Sequence, residues 1–413
     1  MQKTPRGMRL HIGIFGRRNV GKSSLLNAMT RQEVSIVSDI AGTTTDPVEK
    51  PMELLPLGPV LFIDTAGIDD LGALGELRVQ KTRRVFKRTD LAILVTDGEG
   101  FGDYDQALLA EFKGLGVPLV VVFNKADLAT PSAELEASLL AQGYPLVRTV
   151  ASKGEGILEL RQAIVHAVPE DLLSPPSILG DLVPPGEFAV LVVPIDMEAP
   201  KGRLILSQVQ SIRDLLDNDS YCLVVKEREL KSALESLKRP PALVVTDSQA
   251  FLKVGADTPP EVALTSFSIL FARFKGDLGE FVRGALAIDG LRSGDKVLIA
   301  EACAHHPIGE DIGRVKIPRW LTQFVGGQLD IKHVQGNDFP EDLSSYKLVI
   351  HCGGCVFNRR NLLSRILACR KAGVPITNYG VAIAWTLGIF NRALKPFPAA
   401  YQLYLDAKSQ GRS

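Results

Sequence analysis

The sequence predicts an α/β chain in three domains, and three features predict it. Short apolar runs such as Leu10–Phe15, Leu119–Phe123, Phe188–Ile195 and Leu348–His351 alternate with stretches whose apolar residues recur at helical spacing. Two proline-rich breaks interrupt the alternation: Pro169–Gly186, with Ser-Pro-Pro and Val-Pro-Pro, and Thr258-Pro-Pro260. A chain of 413 residues holds two or three domains of ordinary size. The expected boundaries are 1–172, 180–258 and 261–413.

Composition narrows the partners. Lys+Arg and Asp+Glu both number 47, so no overall field draws the chain to nucleic acid or an anionic membrane. Only 5 cysteines occur, unevenly placed, which fits a reducing compartment with thiols kept for metal or redox work. The first residues, Met1 to Leu10, have no apolar signal core, and the apolar runs are far short of a membrane span. A cytoplasmic location is expected.

The first domain carries the clearest chemistry. The strand Leu10–Phe15 runs into Gly16-Arg17-Arg18-Asn19-Val20-Gly21-Lys22-Ser23, the spacing of a phosphate-binding loop, and helical residues follow from Ser24. Amide N–H groups from Gly16 through Ser24, including those of Arg18, Asn19 and Val20, are expected to cradle phosphates at the helix N-terminus. Lys22 would reach the β- and γ-phosphates, and Ser23 would bind Mg²⁺.

Further pieces make the site one for guanine. The strand Val60–Ile63 ends in Asp64-Thr65-Ala66-Gly67, which places a carboxylate near Mg²⁺ and a glycine N–H near the γ-phosphate. Gly42-Thr43-Thr44-Thr45-Asp46 lies in a polar loop, from which Thr44 is expected to close over Mg²⁺. The strand ending at Phe123 leads into Asn124-Lys125-Ala126-Asp127, where Asp127 can accept hydrogen bonds from guanine N1–H and the 2-amino group. Val150-Ala151-Ser152-Lys153-Gly154 would then supply a backbone N–H, assigned to Ala151, for the guanine carbonyl.

On these motifs the first 170 residues or so resemble a small GTPase domain of the translation-factor-related class. Asn19 and Gly42–Asp46 resemble its bacterial tRNA-modification and ribosome-assembly branch. That resemblance implies GTP and GDP as ligands, with K⁺ held through Asn19 beside the phosphates as a substitute for an arginine finger. Ile68 stands where Ras-like enzymes have a water-orienting glutamine, so slow intrinsic hydrolysis is expected. At Ser152 the sequence departs from the expected lysine, which implies a lost stacking contact on guanine. The basic stretch Arg78, Lys81, Arg83, Arg84, Lys87, Arg88 reads as a solvated helix face or a docking surface responsive to nucleotide state.

The second domain reads as a small βαβαβ unit: strands at 188–195, 221–225 and 242–246, with helices at 205–216 and 229–237. It has no phosphate loop and no ligand cluster. A sheet this small leaves edges to cover, so a homodimer through this segment is expected. Cys222 reads as a core residue.

The third domain holds the other unusual feature. Cys303-Ala304-His305 and His351-Cys352-Gly353-Gly354-Cys355 each follow an apolar run that reads as a buried strand. Both clusters would then sit at carboxyl strand ends, where open α/β sheets place ligands. Three thiolates and two imidazoles could hold a structural zinc, or an iron–sulfur cluster with one iron left to a weaker ligand; the spacing leaves both open. Cys369 reads as packed, and Arg359 and Arg360 as helix-start charges or holders of an anion.

The three-domain arrangement with this cysteine pattern resembles the FeFe-hydrogenase maturation GTPases (HydF family) over nearly the whole chain. The resemblance implies a 4Fe–4S cluster on Cys303, Cys352 and Cys355, and a transient diiron precursor carrying CO and cyanide. It also implies apo FeFe-hydrogenase and two radical-SAM maturases as partners. With three thiolates for four irons, His305 or His351 would add at most an exchangeable fourth bond, and Asp311 is a further oxygen donor to consider. Two rival readings are a ribosome- or tRNA-associated GTPase with a zinc-stabilised C-terminal domain, and a GTP-gated iron–sulfur electron carrier.

Overall fold

The computed structural model describes residues 4–30, 47–65, 82–98, 100–169, 172, 176–195, 204–302 and 311–410. The chain divides into two compact units, residues 1–175 and 176–413.

The first unit is built on a six-stranded sheet: β1 (Leu10–Phe15), β2 (Val48–Leu54), β3 (Gly58–Asp64), β4 (Leu91–Thr96), β5 (Leu119–Asn124) and β6 (Leu146–Thr149). Its order is β2-β3-β1-β4-β5-β6. Only β2 runs antiparallel to its neighbour β3. β4 and β5 are buried along their whole length, the expected property of inner strands covered on both faces. One face packs Ile12, Ile14 and Phe62 against Leu25 and Leu160 from helices Lys22–Thr30 and Ile157–Ala167. The other face packs Phe15, Phe86 and Phe112, whose ring centroids lie 4.8–4.9 Å apart in tilted and edge-on contacts.

His11 on β1 is 3% exposed, and its Nε2–H donates to the Arg6 carbonyl at 3.1 Å. Burial, and then the Arg88 and Arg6 charges, push its pKa down from 6.5 to about 4 despite that hydrogen bond. The unfolded chain therefore takes up a proton near pH 6.5 that the folded chain refuses until about pH 4. The stability held by neutral His11 is present above pH 6.5 and is lost as pH falls toward 4. The denaturant midpoint of the full chain should fall across that interval, and should fall less steeply in His11→Gln; equal slopes would contradict this.

The second unit contains two four-stranded parallel sheets. The first is β7 (Phe188–Val192), β8 (Tyr221–Val225), β9 (Leu243–Thr246) and β10 (Ala263–Ser266), in the order β10-β9-β7-β8. The second is β11 (Lys296–Glu301), β12 (Asp330–Gln335), β13 (Leu348–His351) and β14 (Ile376–Asn378), in the order β12-β11-β13-β14. Both wind alike: the second strand lies outside the first, and the third and fourth lie on the other side. β10 is a strand beyond the expected three, and it carries the first of these sheets past the break at Thr258–Pro260. Ser266 ends β10 and caps the helix Phe267–Lys275, its hydroxyl accepting from Ile269 N at 3.2 Å. β8 is an edge strand with Tyr221 49% and Val224 43% exposed, so it has a face left to cover. No helix among the described residues is long and apolar enough to cross a membrane.

Candidate functional site

Parallel register brings the carboxyl ends of β1, β3, β4, β5 and β6 to one edge of the first sheet. The loop after β1 passes under that edge, and two glycines make the passage. Gly16 has φ +141°, and a Cβ there would lie 2.1 Å from the Val95 carbonyl. Gly21 has φ +93°, and a Cβ there would lie 2.2 Å from Asn124 Nδ2. Asn19 is exposed at the loop tip with φ +59°, a left-handed conformation that asparagine tolerates better than most residues.

Lys22 is 7% exposed, and its ammonium donates to the Gly16 carbonyl at 2.9 Å and the Arg17 carbonyl at 2.5 Å. Ser23 Oγ donates to Asp64 Oδ2 at 2.6 Å, so the hydroxyl and carboxylate expected at Mg²⁺ meet. Thr44 and Gly67, expected at Mg²⁺ and the γ-phosphate, lie outside the described residues, as do Ile68, Arg78 and Lys81. Of the basic stretch, residues 82–86 are helical, with Arg83, Arg84 and Lys87 on the exposed side.

Asn124 is 3% exposed and joins three segments. Its Nδ2 donates to the Val20 carbonyl at 2.8 Å, and its Oδ1 accepts from Thr149 Oγ1 at 3.0 Å and from Ala151 N at 3.1 Å. The role expected for Ala151 changes accordingly. Its N–H is committed to Asn124, because the turn after β6 folds back on β5, and it is not the donor left for a base carbonyl. The next amide, of Ser152, makes no backbone hydrogen bond among the described residues. A lysine does stand one residue after Ser152, at Lys153. Lys153 Nζ lies 2.9 Å from Asp127 Oδ2 on the exposed rim, and that contact holds the carboxyl below its ordinary range. Lys125 holds its loop in a left-handed conformation with φ +57°. Sequence reasoning gave no role to Thr149, which bonds Asn124, or to Lys153, which pairs with Asp127 although it lies inside the Val150–Gly154 motif.

The second constellation lies in the other unit. β11 and β13 are neighbours with Ala300 opposite His351, so the chain leaves both strands at the same edge. Cys352 N donates to the Ala300 carbonyl at 2.9 Å, and Ala302 N donates to Cys352 Sγ at 3.1 Å. Cys352 and Cys355 are half-exposed. Cys303 and His305 lie outside the described residues. Among the described residues no three His, Cys, Asp or Glu side chains converge. Cys369, by contrast, is fully buried and its thiol is pushed up to about 12 by burial, so it is an inert packed residue.

His351 does not stand ready as a metal ligand. It is fully buried, with Nδ1 2.7 Å from the Cys352 carbonyl and Nε2 2.9 Å from Arg365 Nη1. A carbonyl can only accept and a guanidinium can only donate, so the ring is neutral with its proton on Nδ1. Burial and then the Arg365 charge hold its pKa near 3. Both nitrogens are thus hydrogen-bonded, so an exchangeable bond from His351 would need one of these contacts to open. Arg365 is itself sandwiched between Phe339 and Phe357 at 4.8 and 4.6 Å. Asp311 caps the turn after it, accepting from Arg314 N at 2.7 Å. Arg359 donates to the Phe274 carbonyl at 2.7 Å and the Gly276 carbonyl at 3.2 Å, closing a helix end.

A cation that sequence reasoning did not find organises the cysteine turn. Lys275 is 1% exposed and donates to the carbonyls of Gly354, Cys355 and Phe357 at 3.2, 2.9 and 2.6 Å. Burial pulls its pKa to about 8, against the Cys355 and Cys352 thiolates, which raise it.

Comparison with known proteins agrees with this division. Residues 11–125 match the 50S ribosome-binding GTPase model. The tRNA modification GTPase MnmE of Bacillus velezensis is 39% identical over 153 residues, 37% of this chain and 33% of that protein. MnmE of Synechococcus sp. is 42% identical over 166 residues, 39% of this chain and 34% of that protein. The chain thus spans about a third of the length of these curated relatives. The solved structure of the GTPase Era from Aquifex aeolicus is 22% identical, with a TM-score of 0.36 over 60% of this chain and 99% of that one. Residues 178–276 match the hydrogen maturase F dimerization domain and residues 279–396 its tetramerization domain. These two models together take in more than half of the sequence, behind a GTPase domain with its nucleotide motifs in place: the chain belongs to the hydrogen maturase F family.

Proposed function

We propose that the chain is a GTP-hydrolysing scaffold and carrier in FeFe-hydrogenase maturation, holding a 4Fe–4S cluster on Cys303, Cys352 and Cys355. In this reading it assembles a diiron precursor with two radical-SAM maturases as partners and passes it to apo FeFe-hydrogenase. The observation that carries the cluster half is the turn at the end of β13. It presents two half-exposed thiols, one already accepting an amide N–H, beside the end of β11 that leads into Cys303. These donors fit a soft metal centre. With His351 committed inside the fold, a zinc site would lose one of its two imidazoles. When bound, the cluster supplies an iron with an exchangeable coordination position, and His305 is the candidate for a weak bond there.

In the first unit Lys22 binds the β- and γ-phosphates, Ser23 and Thr44 bind Mg²⁺, Asp64 orients that shell and Gly67 donates its N–H to the γ-phosphate. Asp127 selects guanine, Lys153 covers the base and Ser152 N–H serves the base carbonyl. Asn19 holds K⁺, which offsets the missing glutamine at position 68. Nucleotide state changes the loops around residues 42–46 and 64–81 and so biases association with a partner. A second copy of the chain docks through residues of about 188–256, where β8 exposes apolar side chains.

The test is nucleotide preference. Asp127→Asn exchanges two acceptors for an amide, so GTP turnover should fall about 10- to 100-fold, the loss expected for charge-assisted hydrogen bonds, while xanthosine triphosphate gains. In the same assay K⁺ should support faster turnover than Na⁺. Unchanged GTP preference in the variant would overturn the guanine site, and equal rates in the two salts would remove the potassium role.

A further inference from the structure

Lys275 is the last residue of the helix that follows β10, inside the segment matched as the dimerization domain, whereas Cys352 and Cys355 belong to the segment matched as the tetramerization domain. The two segments grip each other at this point in both directions. Lys275 sends its ammonium into the cysteine turn and meets three carbonyls there. Arg359, four residues past Cys355, sends its guanidinium back to the Phe274 and Gly276 carbonyls on either side of Lys275. At the other end of the same helix, Ser268 Oγ donates at 2.9 Å to Oδ1 of Asn378, the last residue of β14, and accepts from Gly380 N at 3.1 Å.

The three carbonyls decide how the turn presents itself. In a planar trans peptide the C=O and the N–H point in opposite directions. Carbonyls drawn onto Lys275 therefore turn the amides of Cys355 and Val356 away from it. Those two amides make no backbone hydrogen bond among the described residues. Such donors, together with a fixed positive charge behind the turn, are what tune iron–sulfur centres through hydrogen bonds and local charge.

We propose that Lys275 is a positioning residue for the cluster: it shapes the Cys352–Cys355 turn and supplies a buried positive charge that favours the reduced form. This rests on the cluster reading above. Removing the charge should make the centre harder to reduce, because the added electron loses a nearby cation in a low-dielectric setting.

The experiment compares full-length wild type, Lys275→Met and Lys275→Arg after anaerobic reconstitution with iron and sulfide, reading iron content and midpoint potential. GTP turnover on the same preparations reports that the chain is folded. The expected result is a more negative potential in Lys275→Met, corresponding to at least a tenfold loss in the relative stability of the reduced form, about 59 mV for a one-electron couple. Lys275→Arg should recover most of the shift. An unchanged potential in Lys275→Met overturns the proposal. If Lys275→Met retains no iron, iron retained by Lys275→Arg supports the charge requirement and equal loss in both overturns it. Wild type that takes up no iron refutes the cluster reading instead, so the two failures are separable.

Discussion

Lys22→Ala is expected to lose GTP turnover by at least about 100- to 1000-fold, the range for removing one preorganised donor from developing transition-state charge. The side chain is buried, and its ammonium is held across the loop by the Gly16 and Arg17 carbonyls. That arrangement presents a cation at the loop mouth without further reorganisation. Alanine leaves the two carbonyls without it and removes the only lysine in the loop. The cysteines lie in the other compact unit, so iron content per chain should stay at the wild-type value. Near-normal turnover in Lys22→Ala would mean that this loop is not the catalytic nucleotide site.

Cys352→Ala and Cys355→Ala should each lose most of the iron, while Cys369→Ala should keep it. Cys352 sits where the chain leaves an inner strand, with its sulfur already accepting the Ala302 amide, so its thiolate is positioned by backbone. Cys355 lies on the turn that Lys275 gathers from behind. Cys369 has no such access: it is packed on helix Arg359–Lys371 and its thiol is pushed up to about 12. Iron retained in both turn variants would contradict the assignment, and iron lost equally from Cys369→Ala would point to general unfolding.

The nucleotide motifs are legible because their chemistry demands fixed residue types at fixed spacing, and those at Gly16, Asp64 and Asn124 each follow an apolar run that reads as a buried strand. β1, β5 and β13 follow their apolar runs closely. β12, Asp-Ile-Lys-His-Val-Gln, has no such signature because it lies at a sheet edge and is half-exposed along its length. β10 is four residues long and ends in Thr265 and Ser266, which are buried by pairing with β9 and not by any apolar character of their own. The histidine beside Cys352 invites a ligand role, and the sequence does not show that both its ring nitrogens are hydrogen-bonded. Arg365, fourteen residues later, returns on a helix to occupy its second nitrogen. Lys275 was invisible for the same reason, since its partners lie 79 to 82 residues away. Contacts of that range are set by packing, which spacing along the sequence does not encode.

We propose a GTPase domain joined here to an iron–sulfur centre on the ends of β11 and β13. Iron and acid-labile sulfide analysis on anaerobically reconstituted full-length protein, with EPR of the reduced sample, tests it most directly. The expected result is close to four irons and four sulfides per chain with a reduced-cluster signal, the stoichiometry of a cubane. A colourless protein holding zinc and no sulfide would contradict it.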